Sequence, residues 1–93
     1  MRRTLTWSPR FVRDVKHVQR QNAELRAAIE RTLLFLSTNA FHPRLKTHKL
    51  KGELSDVWSC SVGYDLRILF QFVEVGGRES ILLINVGTHD DVY

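Results

Sequence analysis

The sequence predicts an α+β fold: an N-terminal strand, a two-helix antiparallel hairpin, then a three-stranded antiparallel sheet with the helices on one face. Three observations predict it. Apolar residues recur at helical spacing twice between Ser8 and Thr38, each time behind a capping residue. Alternation with period two begins near Asp56 and runs to Thr88, interrupted by glycine-bearing turns at Gly63 and Gly76-Gly77. Between the two regimes lies an irregular basic segment, bounded by Pro43 and Gly52.

The first strand is read at Arg2 to Trp7, where Thr4, Leu5, Thr6 and Trp7 favour extended backbone. Ser8-Pro9 then combines a favoured N-cap with a favoured first helical residue. Phe11, Val15 and Val18, with Val12 beside them, form the apolar stripe of the first helix. Arg10, Arg13, His17 and Arg20 lie opposite and read as its solvent face. Asn22 caps the second helix, with Glu24 in the positively polarised first turn. Leu25, Ile29, Leu33 and Leu36 form its stripe, and it fades near Ser37-Thr38-Asn39. Almost nothing separates the two helices, so they pack as a hairpin.

Phe41 to Leu54 is predicted to be a loop or a short extended piece, with Leu45 and Leu50 as core anchors. Asp56–Val62, Leu66–Val75 and Glu79–Thr88 are the three strands of the main sheet. A three-residue loop, Gly76 to Arg78, places Leu69 opposite Asn85 and Arg67 opposite Gly87. The preceding turn places Ser61 opposite Arg67. One face then carries Trp58, Cys60, Val62, Leu66, Ile68, Phe70, Phe72, Leu82, Ile84 and Val86, a surface suited to cover by the helices. The other carries Ser59, Ser61, Arg67, Gln71, Asn85 and His89, with Leu69, Val73, Ile81 and Leu83 toward its far end. Shifting one strand by a residue would scatter polar groups into the core, which is why this register is preferred.

Ninety-three residues make one small domain, 1–93. A hydrophobic share of 43% with 26% charged residues is ordinary for a folded chain and argues against disorder. Cys60 stands alone, so no internal disulfide forms and a cysteine-based zinc site is disfavoured. That usage suits a reducing compartment, and no signal peptide is seen, so a cytoplasmic location is expected. No apolar run is long enough to span a bilayer, and no membrane partner is expected. Formal charge is +4. The excess is uneven: Arg31, Arg44, Lys46, Lys49 and Lys51 occur between Arg31 and Gly52 with no acid among them. Such a field favours phosphate-rich or acidic partners, although a solvated face kept for solubility has the same composition.

The preferred register gathers Ser61, Arg67, Asn85 and His89 at one end of the uncovered face. Arg67 offers donors that match a phosphate, and histidine exchanges protons near neutral pH. Lys46, His48, Lys49 and Lys51 can line the same concavity from the preceding loop. Asp65 can orient a base or hold Arg67, and Tyr93 can stack on a nucleobase. RNA carries its own nucleophile, the 2′-OH. Its cleavage without metal needs a base, an acid for the 5′-oxygen, and cations around the phosphorane. His89, His48 and Arg67 are of the right types. Asp90 and Asp91, if extended, point to opposite faces, so no acidic cluster for Mg²⁺ is evident and neither metal nor cofactor is expected. Plainer readings stand beside these. His89 is then a solvated histidine, His48 satisfies a loop carbonyl, and Arg67 pairs with Asp65. Cys60 reads as a small buried hydrophobe.

Three motifs carry a family resemblance. They are His48-Lys49-Leu50-Lys51-Gly52, then Trp58-Ser59-Cys60-Ser61-Val62-Gly63-Tyr64-Asp65-Leu66-Arg67-Ile68-Leu69-Phe70, then Gly87-Thr88-His89-Asp90-Asp91-Val92-Tyr93. In this order they resemble the RelE/ParE superfamily of bacterial toxin–antitoxin toxins, and the last is similar to its YafQ branch. The resemblance covers essentially the whole chain. It implies a ribosome-dependent mRNA endonuclease, or mRNA interferase, neutralised by a cognate antitoxin in an oligomeric complex. His89 then matches the catalytic histidine of the branch, His48 and Asp65 match site positions, and Tyr93 matches its aromatic. Lys46, Lys49 and Lys51 would bind RNA, with Ser61, Asn85 and Tyr93 beside the substrate. Ser61 stands where the branch has a second histidine and Asn85 where it has an arginine, and Arg67 is the candidate replacement cation. The alternatives are a ParE-like inhibitor of DNA gyrase that cleaves nothing, and a basic module that only docks a partner.

Overall fold

The computed structural model describes residues 2–52 and 56–92. Its elements are β1 (Thr4–Trp7), α1 (Pro9–Gln21), α2 (Ala23–Thr38), a 3₁₀ turn (Pro43–Leu45), β2 (His48–Lys49), β3 (Trp58–Gly63), β4 (Leu66–Val75), β5 (Arg78–Thr88) and α3 (His89–Val92). The strands form one sheet in the order β1-β5-β4-β3-β2. The predicted three-stranded antiparallel core is its centre. Both edges were illegible as sheet partners: β1 pairs in parallel with β5, and the basic loop adds the two-residue β2.

Both helices begin as the caps require. Ser8 Oγ accepts from the Phe11 N–H at 3.0 Å, and Asn22 Oδ1 accepts from the Glu24 N–H at 3.0 Å. These bonds satisfy amides that the first helical turn cannot. The stripes behind them are buried: Phe11, Val15 and Val18 from α1, and Ile29, Leu33 and Leu36 from α2. They pack on Cys60, Ile68, Phe70, Ile81, Leu83 and Val86 of the sheet. Trp58, Phe72 and the exposed Phe41 close one margin of this core with edge and stacked ring contacts 5.3 to 5.7 Å apart. Among the described residues, no helix is long and apolar enough to cross a membrane.

The β4–β5 hairpin corrects the predicted loop. Val75 pairs with Arg78, so the turn is the two residues Gly76-Gly77, with φ of 58° and 78°. Positive φ at both positions is the type I′ geometry that matches strand twist, which glycine adopts without steric cost. The register then slips by one residue farther down. Phe70 faces Leu83 while Leu69 faces Asn85, and Ile84 is the extra residue of a bulge. The pairs predicted at the other end of the hairpin, Leu69 with Asn85 and Arg67 with Gly87, are therefore present. Alternation is reset at the bulge. Ile81 and Leu83 are fully buried in the core, whereas Leu82 and Ile84, assigned to the helix side from the sequence, are only half-buried.

Two side chains anchor the bulge where β1 leaves the edge of β5. Ser8 donates its N–H to the Leu83 carbonyl at 3.1 Å and its hydroxyl to the Ile84 carbonyl at 2.8 Å. Asp14 Oδ2 accepts from the Val86 N–H at 3.2 Å. The outer edge of β5 thus exchanges a strand partner for side-chain partners, and its backbone groups stay satisfied.

Candidate active site

Directly paired residues share a face of the sheet, so the register fixes two cross-sheet rows on the side away from α1 and α2. One row runs His48, Ser59, Leu69, Asn85. The other, two residues along, runs Ser61, Arg67, Gly87. His48 and Arg67 are separated by two strand spacings across the sheet, about 10 Å, and two residues along it, about 7 Å. That gap lies within the combined reach of an imidazole and a guanidinium. Gly87 places no side chain beside Arg67. Beyond it, Thr88 ends β5 and His89 begins α3 at the same end of the sheet.

Each of these groups has a defined setting. Arg67 is half-buried, and its Nη1 lies 3.4 Å from Ser61 Oγ and 3.2 Å from the Leu66 carbonyl. Both contacts use one nitrogen, so among the described residues Nε and Nη2 are left for a ligand. His48 is exposed, with Nδ1 at 3.0 Å from the Lys46 carbonyl. A carbonyl can only accept, so Nδ1 carries the proton and Nε2 of the neutral ring is a proton acceptor. His89 is 72% exposed, with Nδ1 at 3.9 Å from Asp90 Oδ1. Asn85 is buried, and among the described residues its Oδ1 has no hydrogen-bond partner.

The remaining sequence candidates are more dispersed. Asp65 occupies a left-handed turn position, φ 64°, and is exposed. Among the described residues no ion pair joins it to Arg67, whose contacts are instead Ser61 and the Leu66 carbonyl. Lys46 is exposed at φ 52°, just before β2. Lys49 pairs with Trp58 and so shares the helix-side face, not the face of His48. Lys51 is exposed after β2. Tyr93 lies outside the described residues. Asp90 and Asp91 belong to the helical turn α3, so the expectation that they are extended and opposed does not hold. Sequence reading missed the roles of Ser8 and Asp14 in seating β5. Asp14 did leave a signal, being the only acid in α1.

Cys60 is fully buried, and burial pushes its thiol from 9.0 up to about 12, against weaker lowering by an Ile68 backbone hydrogen bond and by Arg67. The reading as a buried hydrophobe holds. A thiol whose pKa is raised on folding stabilises the fold fully below the unfolded value and loses that contribution as pH rises through the folded one. The stability of the protein relative to a Cys60→Ala variant is therefore expected to be constant below pH 9 and to fall between pH 9 and about 12, read by urea melts. A flat difference across that window would count against the buried thiol.

Solved structures similar in fold include bacterial toxins. A YoeB/ParE toxin from Agrobacterium tumefaciens matches with a TM-score of 0.78 at 21% identity, over 92% of this chain and 98% of that one. YafQ in the DinJ–YafQ complex of E. coli matches with 0.79 at 18% identity, over 98% of each chain. YoeB in the YoeB–YefM complex of Staphylococcus aureus matches with 0.72 at 23%, over 96% and 99%. No curated protein matches the sequence. The fold class is thus that of the RelE/ParE-type toxins. More narrowly, the model of the YafQ family, bacterial toxins of type II toxin–antitoxin systems, matches residues 3–93, and the chain belongs to that family.

Proposed function

We propose that residues 1–93 form a single toxin domain that cleaves mRNA on the ribosome by metal-independent acid–base chemistry. The observation that carries this reading is the pair of cross-sheet rows, which put His48, Ser61 and Arg67 on one face of the sheet, near the end of β5 where His89 begins α3. His48 Nε2 takes the proton of the ribose 2′-OH. The 2′-oxygen bonds to phosphorus, the bond from phosphorus to the 5′-oxygen breaks, and His89 gives that oxygen its proton. Arg67 neutralises the charge gathering on the phosphoryl oxygens, with Ser61 steadying its guanidinium. Lys46 and Lys51 contribute electrostatic attraction for RNA, Lys49 does so from the other face, and Asp65 and Tyr93 flank the substrate. The neutralising partner is a cognate antitoxin, as DinJ and YefM are for the complexes above.

The test is to incubate the purified protein with mRNA on ribosomes. Attack by the 2′-OH leaves a 2′,3′-cyclic phosphate and a 5′-hydroxyl, and these ends are expected. Products with a 5′-phosphate would point to an activated water instead. Intact mRNA under conditions that arrest growth would overturn the proposal.

A further inference from the structure

A second basic feature lies beside the rows and brings two cations, Arg31 and Arg44, that have no part in the chemistry above. A groove of ≈ 310 Å³ opens between α2, the 3₁₀ turn and the end of β3, within the size range of ligand sites. Arg31 reaches it from α2, and Arg44 and Lys46 from the turn and its cap; among the described residues no carboxylate lines it. The chain places these cations deliberately. Pro43–Leu45 forms the 3₁₀ turn because His42 Nδ1 accepts the Arg44 N–H at 3.1 Å, and Leu45 is buried as its anchor. The guanidinium of Arg44 is held over the Phe35 ring at 5.7 Å. Lys46 takes φ 52°, which ends the turn and turns the chain toward β2.

The groove is joined to the site twice. Ser61 lines it and also contacts Arg67 Nη1 at 3.4 Å. Lys46 lines it while its carbonyl holds the His48 ring at 3.0 Å. Because β2 pairs with β3 at Trp58 and Ser59, the outer edge of β3 at Ser61–Gly63 faces the groove and not a strand.

We infer that this groove binds backbone phosphates of the RNA strand next to the one being cut, with Arg31, Arg44 and Lys46 as its cations. The inference rests on the RNA-cleaving reading. Three positive side chains around a concave space, with no acid beside them among the described residues, suit phosphate, and continuity with Arg67 suits a track for one strand. Single-stranded RNA gives a measurable signature: each neutralised phosphate adds about 0.7 to the slope of log affinity against log salt.

The experiment measures binding of a mixed-sequence 2′-O-methyl decamer, which lacks the nucleophile and cannot be cut, across a salt series. Replacing Arg31→Gln and Arg44→Gln together is expected to lower the slope by about 1.4. It should also raise KM for ribosome-bound mRNA several-fold, an effect that appears in KM rather than in kcat. The pair Arg31→Lys and Arg44→Lys should keep the wild-type slope, which separates lost charge from lost folding. An unchanged slope in the glutamine pair overturns the groove, and mRNA cleavage by the wild-type protein would then leave the functional reading standing. A lowered slope in a protein that cuts no mRNA sustains the groove and overturns the nuclease. A glutamine pair that binds RNA normally but loses a poly-glutamate peptide would overturn the inference in favour of an acidic protein segment.

Discussion

Replacing His89 by glutamine is expected to reduce mRNA cleavage by about 10²–10⁴-fold, the span that a positioned general acid contributes. The fold should not register the change. The imidazole is 72% exposed, and exposed substitutions shift stability by no more than about 0.5 kcal/mol. The measurement is single-turnover cleavage on ribosomes beside a thermal melt of the same preparation. Growth arrest should vanish with cleavage. If the glutamine variant keeps full toxicity while mRNA stays intact in both proteins, the histidine is a bystander and a gyrase-type target becomes the better reading. His48→Ala complements this test, because removing the base should slow the same step while leaving the leaving-group proton available.

Leu83→Ala should destabilise the protein by about 2–5 kcal/mol, a large share of the 5–15 kcal/mol typical of a folded domain. Leu83 is fully buried opposite Phe70, beneath the helices. Its neighbour Leu82 is half-buried opposite Gln71, so Leu82→Ala should cost no more than about 1.5 kcal/mol. The contrast is a direct assay of the bulge at Ile84. A strand with unbroken alternation predicts the opposite order, with Leu82 dominant, and urea melts of the two variants decide between them.

That contrast also marks where the sequence was legible. The caps at Ser8 and Asn22 and the stripes behind them could be read, because capping and helical spacing are local properties. The pairing of Arg67 with Gly87 was predicted through a three-residue hairpin loop. The chain reaches the same pairing by a two-residue turn and a one-residue bulge. The difference cancels near Arg67 but not near Ile81 and Leu83, which is why the face assignment failed there. No local rule marks that bulge, since its anchor is Ser8, 76 residues away from Ile84. The same limit hid β2. His48 and Lys49 are extended because β3 lies beside them, and a pair of residues carries no periodicity of its own. Of the proposed site, the row through Ser61, Arg67 and Gly87 could be anticipated from alternation, whereas His48 was read only as a residue of the neighbouring loop. The helical turn at His89 and the turning away of Lys49 could not.

The parallel pairing of β1 with β5 has a consequence for how the protein comes into being. The helical hairpin is built from near neighbours and can assemble while the chain is still growing. β1, the first strand made, must wait for β5, the last, before its backbone finds a partner. Ser8 cannot seat the bulge, nor Asp14 its amide, until that strand has been synthesised. Closure of the sheet is therefore expected to follow the helical hairpin, as a late step that joins the two ends of the fold.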